Sequence, residues 1–181
     1  MLGIFFPAST HQQNKPQKER YSMPLEIKIN PVGNIKVEEG RFYVSIREKY
    51  RDALRGLQGF SHINVLWWGN KSDSPELRDT VITRKPYKKG PDIIGIFATR
   101  SEVRPNPVLL TTAEIIRIDV PKGIIELPWI DAEKDSPVID IKPYQPCSDR
   151  IKDIKLPHWC TEWPEWYEDS AGFNWSSVFN F

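Results

Sequence analysis

Two stretches of this chain concentrate side chains whose types and spacing suit chemistry. In GIFATRSEVRPNP, residues 95–107, Arg100, Arg104 and Asn106 sit on a loop stiffened by Pro105 and Pro107. A rigid loop presenting two guanidinium forks and an amide suits a ligand that carries a carboxylate or phosphate. In DSPVIDIKPYQP, residues 135–146, Asp140, Lys142 and Tyr144 are spaced by two, which puts an acid, an amine and a phenol on one face of an extended segment. By residue type alone, the first stretch also fits an ion-paired rim and the second a surface Asp–Lys pair.

Other candidates carry less. His62 lies among apolar neighbours in FSHIN, the pattern of a satisfied core histidine more often than of a base. Arg84, Lys85, Lys88 and Lys89 surround Tyr87 in a loop that either touches RNA phosphates or is simply solvated. Cys147, His158 and Cys160 lack zinc-site spacing, so no metal is expected and both cysteines read as free thiols. The dinucleotide, P-loop, zinc-protease and serine-hydrolase motifs are absent.

The elements that must position these groups read mainly as strands. LEIKI at 25–29 alternates, 32–37 and 41–46 form a hairpin through Glu38, Glu39 and Gly40, and 60–68 is a continuous apolar run ending near Asn70 and Lys71. Further strands are expected at 93–99, 108–118, 123–130 and 138–141. One helix is expected over REKYRDALRGLQG, where Tyr50, Ala53, Leu54 and Leu57 fall on one face. Strands without strand–helix alternation predict a mainly β fold, a small antiparallel β-barrel with one helix and an irregular Trp-rich C-terminal tail.

The domain plan is a disordered extension over 1–22, a barrel over 23–155 and an aromatic tail over 156–181. That tail carries Trp159, Trp163, Trp166, Trp175 and Phe179 and is expected to wrap the barrel or a partner chain. A net charge of +1 gives no global attraction to polyanions, so any RNA contact has to be local. The apolar runs fall well short of the ~20 residues that span a bilayer. No membrane span is expected, and the cytoplasm is the expected compartment.

YRDALRGLQGFSHINVLWW, IGIFATRSEVRPNPVLLT and SPVIDIKPYQPCSD follow one another as the signature blocks of the TsaA-like family do, and residues 25–155 resemble that family. Its best-known members methylate the threonylcarbamoyladenosine beside the tRNA anticodon. The resemblance implies a β-barrel that binds S-adenosylmethionine (SAM), a homodimer with the cofactor near the subunit interface, and tRNA as a partner. Carried across by motif, the cofactor contacts are Asn70, Lys71, Arg100, Leu110 and the turn Lys134, Asp135, Ser136, Pro137. Arg104 and Asn106 of the stiff loop are expected to join them.

Under that reading Asp140, or Asp135 in the turn, assists proton loss from a nitrogen acceptor, while Lys142 and Tyr144 orient it. Four departures accompany the resemblance. The family's histidine at the strand end is Asn70, PNPIGLS reads PNPVLLT, DGTP reads KDSP, and a PRQPG-type loop is absent between residues 35 and 41. The expected activity is SAM-dependent N6-methylation of a modified adenosine in tRNA. The alternatives are SAM-dependent methylation of a small molecule and a catalytically silent SAM-binding module.

Overall fold

The computed structural model describes residues 26–180; the extension expected over 1–22 lies outside them. The first elements are β1 (Gly33–Glu38) and β2 (Arg41–Ile46), an antiparallel hairpin with Glu38 opposite Arg41. Glu39 and Gly40 take φ of 49° and 76°, the paired left-handed conformation whose twist matches that of the flanking strands. The strand expected at 25–29 does not form over its described residues, and Ile27 and Ile29 are exposed. β1 is already paired on both sides, so no neighbouring edge remains there for another strand.

The expected α-helix is instead two 3-10 segments, Glu48–Leu54 and Leu57–Gly59. Gly56, at φ 84°, breaks the segment between them, and only Leu54 of the first is buried. The apolar spacing is that of a helix, but the face it describes never docks along its full length.

The remaining strands are β3 (His62–Trp68), β4 (Ile82–Arg84), β5 (Ile93–Gly95), β6 (Val108–Glu114), β7 (Arg117–Asp119), β8 (Ile124–Leu127) and β9 (Pro137–Pro143). Two four-residue helices, α1 (Pro75–Arg78) and α2 (Pro146–Asp149), each begin on a proline that cannot donate to a helix ladder anyway. β4 and β5 make a separate two-stranded hairpin, and the strand expected over 93–99 turns into a 3-10 segment at Ile96–Ala98.

The other seven strands form one antiparallel sheet in the order β6-β3-β9-β1-β2-β8-β7. Its two edge strands are consecutive halves of one chain segment. Ile115 N–H extends the β6–β3 ladder onto the Ser61 carbonyl, and Ile116 N–H extends the β7–β8 ladder onto the Glu126 carbonyl. The bend at Ile115–Ile116 therefore carries one segment from one edge of the curled sheet to the other. No ladder joins β6 to β7, so the barrel is incompletely closed.

Inside the curl lie Ile35, Val44, Ile63, Val65, Ile125, Leu127 and Val138, which alternate with outward positions along their strands. The buried Trp67 indole donates to Thr111 Oγ1 at 3.0 Å, so the largest core ring brings no unsatisfied donor with it. Between Leu66 and Trp67 the β3–β9 register shifts, from Asp140 opposite Leu66 to Val138 opposite Trp67. That irregularity keeps both Val138 and Ile141 packed on the core.

The aromatic tail packs on the β4–β5 hairpin of its own chain. Tyr87, from the hairpin loop, stacks on Trp159 at 4.9 Å and meets Trp163 edge-on at 5.1 Å, and Trp163 in turn meets Trp175 at 5.9 Å. Backbone bonds lock the arrangement: Lys88 N–H donates to the Val178 carbonyl and Asn180 N–H to the Pro86 carbonyl. The loop's cations are engaged as well. Lys85 pairs with Asp92, Lys89 pairs with Glu162, and Lys88 Nζ donates to the Ser176 carbonyl. The basic loop expected to meet RNA or solvent is thus engaged by the tail through Lys88 and Lys89 and by its own hairpin through Lys85.

Candidate functional site

The ends of β3, β6 and β9 meet at one end of the barrel. Gly69 N–H, just past β3, donates to the Pro107 carbonyl at 2.8 Å, and Trp68 pairs with Val108. This anchors the end of β3, just before Asn70 and Lys71, to Pro107 of the 104–107 loop. A Cβ on Gly69 would lie 3.3 Å from Glu102 Cβ, so the same loop also closes over the strand end.

The residue that holds this loop is one that sequence reasoning passes over. Ser74 caps α1 by accepting from Leu77 N–H at 3.3 Å, and Arg78 leaves its last turn. Its guanidinium donates to the Pro105 carbonyl at 2.9 Å, to Asn106 Oδ1 at 3.2 Å and to Asp73 Oδ1 at 3.1 Å. Asp73 also accepts from the Trp68 indole at 2.8 Å, and Arg78 lies over that ring. The readable signal is Ser74-Pro75, a helix start, with a basic residue closing one turn.

The two loop arginines are used differently. Arg104 folds back, donating to the Thr99 carbonyl at 2.9 Å and the Ile96 carbonyl at 3.2 Å. Its Nε is buried without a partner among the described residues, an orphaned donor beside the loop. Arg100 is exposed and makes no hydrogen bond or ion pair among the described residues, which leaves its whole donor fork available.

The turn at 133–136 completes this end. Lys71 pairs with Glu133, which ties the turn to the end of β3. Asp135 takes φ 69°, its N–H donates to the Ile35 carbonyl, and Ser136 N–H closes back on Glu133. Asn34 Nδ2 reaches the Asp135 carbonyl at 3.2 Å, and Ser136 is buried while Lys134 and Asp135 face solvent. Pro137 then opens β9. Leu110 faces outward on β6, 46% exposed, where its neighbour Leu109 is buried.

Asp131 joins this end, although no sequence motif marks it. Partial burial, and secondarily the charge of Glu102, push its carboxyl above the ordinary range although the residue keeps an exposed side.

Asp140 and Lys142 lie on β9 and Tyr144 just beyond it, and the three do not converge on one pocket. Asp140 and Lys142 form an ion pair at 2.8 Å, and the hydrogen bond and charge of Asp140 raise the Lys142 pKa. Asp140 lines a cavity of about 320 Å³ beneath Tyr50 and Leu57. Tyr144 lies beyond the far end of β9, its ring 6.4 Å from that of His62 in a separate groove that Tyr167 also lines. Seven strand residues at ~3.3 Å each put about 20 Å between Pro137 and that end. His62 is half-buried there and meets Tyr167 edge-on, as a packed ring does.

A curled, incompletely closed antiparallel sheet with an open arginine, an orphaned donor and a pinned turn at one end is a small β-barrel architecture. The chain belongs to the tRNA-methyltransferase O family, whose N-terminal domain model matches residues 16–150. It is 33% identical over 145 residues to the tRNA (adenine(37)-N6)-methyltransferase of Escherichia coli, covering 79% of this chain and 59% of that protein. This chain thus spans about three fifths of the length of that relative. It is 38% identical over 134 residues to a probable S-adenosyl-L-methionine-binding protein of Methanothermobacter thermautotrophicus, covering 66% of this chain and 91% of the relative. A crystal structure of TrmO from Pseudomonas aeruginosa shares the fold with a TM-score of 0.58 at 22% identity, over 76% of this chain and 63% of that one.

Among the described residues no helix is long and apolar enough to cross a membrane, and no group of three or more His, Cys, Asp or Glu side chains is placed to hold a metal ion. Cys147 and Cys160 are both free thiols.

Proposed function

We propose that this chain is a SAM-dependent methyltransferase whose acceptor is an adenosine in tRNA, and that SAM binds where β3, β6 and β9 meet. The observation that carries the reading is the convergence there of Asn70 and Lys71, the 99–107 loop and the 133–137 turn, with Arg100 open and Arg104 Nε unpartnered. The names of the Escherichia coli and archaeal relatives support it.

The donor set fits SAM's chemistry. Arg100 offers a fork for its carboxylate, outward-facing Leu110 an apolar cover for adenine, and main-chain groups of Lys134, Asp135, Ser136 and Pro137 a polar edge. Arg104 and Asn106 shape the loop that holds Arg100. When bound, SAM supplies an electrophilic methyl group, and the chain's task is to position two partners and exclude water between them. Asp140, Lys142 and Tyr144 run away from this end, and their proposed part is to guide the acceptor along β9.

Exposed Val81, Ile82 and Ile93 on the β4–β5 hairpin support a homodimer, with Ile82 and Ile93 sharing its outer face. The cytoplasm, where tRNA and reduced thiols coexist, is the proposed compartment.

Calorimetry with SAM tests the site. Arg100→Ala is expected to weaken binding at least tenfold, whereas Asp140→Ala and Tyr144→Phe raise KM for tRNA and leave SAM affinity unchanged. Unaltered SAM binding in Arg100→Ala would remove the assignment. SAM binding without transfer to any tRNA would favour a silent SAM-binding module.

A further inference from the structure

The family match ends at residue 150, and the tail beyond it walls a cavity of about 800 Å³ on the β4–β5 side of the barrel. That size lies within the ~300–1,000 Å³ of small-molecule sites. The barrel contributes Phe97, Arg100 and Asp131, and the tail contributes Trp159 and Trp163. Phe97 is 83% exposed, an unusual position for a phenyl ring. Trp159 is held in plane by Tyr87, with 17° between their rings.

The polar groups at the cavity are unspent. Neither Arg100 nor the Asp131 carboxyl has a hydrogen bond or ion pair among the described residues. The cavity also touches the proposed cofactor end. Arg100 belongs to both, Glu102 packs on Gly69 and acts electrostatically on Asp131, and Glu133, two residues beyond Asp131, pairs with Lys71.

Aromatic faces accept any planar base, while a carboxylate selects one that offers an N–H. We propose that this cavity receives the acceptor nucleotide, its base stacked on Trp159 and Phe97 and its exocyclic N–H donated to Asp131, with Arg100 at the boundary with the cofactor. The proposal rests on the methyltransferase reading above and gives the Trp-rich tail a role in holding the acceptor. It places the reacting nitrogen at the border between the two ligands, the arrangement that in-line transfer requires.

The test uses the full chain saturated with S-adenosylhomocysteine, titrated with adenosine 5′-monophosphate and with purine riboside 5′-monophosphate, which has hydrogen in place of the exocyclic amine and no N–H on that edge. The adenosine nucleotide is expected to bind at least tenfold more tightly than the purine riboside nucleotide, and Asp131→Asn to abolish that preference. Phe97→Leu, at an exposed position that does not threaten the fold, is expected to weaken adenosine nucleotide binding about tenfold. No binding to the loaded chain, or equal binding by wild type, Phe97→Leu and Asp131→Asn, would overturn the proposal. Calorimetry with S-adenosylhomocysteine alone reads the cofactor assignment separately, so a failure there is distinguishable from a failure of the acceptor cavity.

Discussion

Asp135 carries the turn geometry at the proposed cofactor site. At φ 69° it sits where an L residue costs about 1–2 kcal/mol unless it is Gly, Asn or Asp. The family's DGTP has glycine there, and Asp135 is among the few replacements that keep the conformation. Asp135→Gly should therefore retain the fold, whereas Asp135→Val should lower stability by about 1–2 kcal/mol in urea unfolding. Asp131 makes a pH-dependent prediction. Its folded pKa is raised by burial and then by Glu102, so the native state holds that proton more tightly than the unfolded chain does. Stability consequently falls as pH rises from the ordinary carboxylate range through the raised value, and the penalty is complete above it. Asp131→Asn should melt higher than wild type at neutral pH and match it in acid, and a difference independent of pH would contradict this cause.

At the scale of elements, α1 and the 104–107 loop act as one unit because Arg78 bonds both Pro105 and Asn106. Arg78→Ala should leave the barrel folded and weaken SAM binding about tenfold, since hydrogen bonds to a charged group contribute about 1.5–3 kcal/mol. Gly33 tests the hairpin: a Cβ there would stand 2.3 Å from the Ser45 carbonyl oxygen, a contact the paired strands cannot relieve. Gly33→Ala should cost about 1–3 kcal/mol, read as a lower urea midpoint. The strands were legible from turn chemistry and apolar runs: β1 and β2 from the hairpin turn at Glu38, Glu39 and Gly40, and β3 from its continuous apolar stretch. LEIKI failed because its pattern says nothing about whether a neighbouring edge is vacant, and the helix failed at Gly56, where periodicity outruns the docking surface. The loop bearing Arg100 was legible from its prolines. The role of Arg78 was not, because it depends on a contact across 27 residues, and the separation of Tyr144 from the cofactor end appears only once β9 has a length in space.

The whole molecule is a family barrel followed by a Trp-rich tail that lies beyond the family match. The match stops at residue 150, and the chain beyond it builds an aromatic cluster around Tyr87 and pairs Glu162 with Lys89 of the loop that carries it. Tyr87→Ala should release the tail without unfolding the barrel, seen as faster proteolysis within 156–175 while β1 to β3 keep their amide protection. The near-neutral net charge leaves RNA binding, on the proposed reading, to local contacts. On the proposed reading, the cofactor end and the tail-walled cavity together move a methyl group onto tRNA. The direct measurement is transfer of labelled methyl from SAM to total tRNA, with nucleoside analysis of the product. Label is expected on an N6-substituted adenosine, lost in Arg100→Ala and reduced in Phe97→Leu; bound SAM with no label in any tRNA nucleoside would contradict this mechanism.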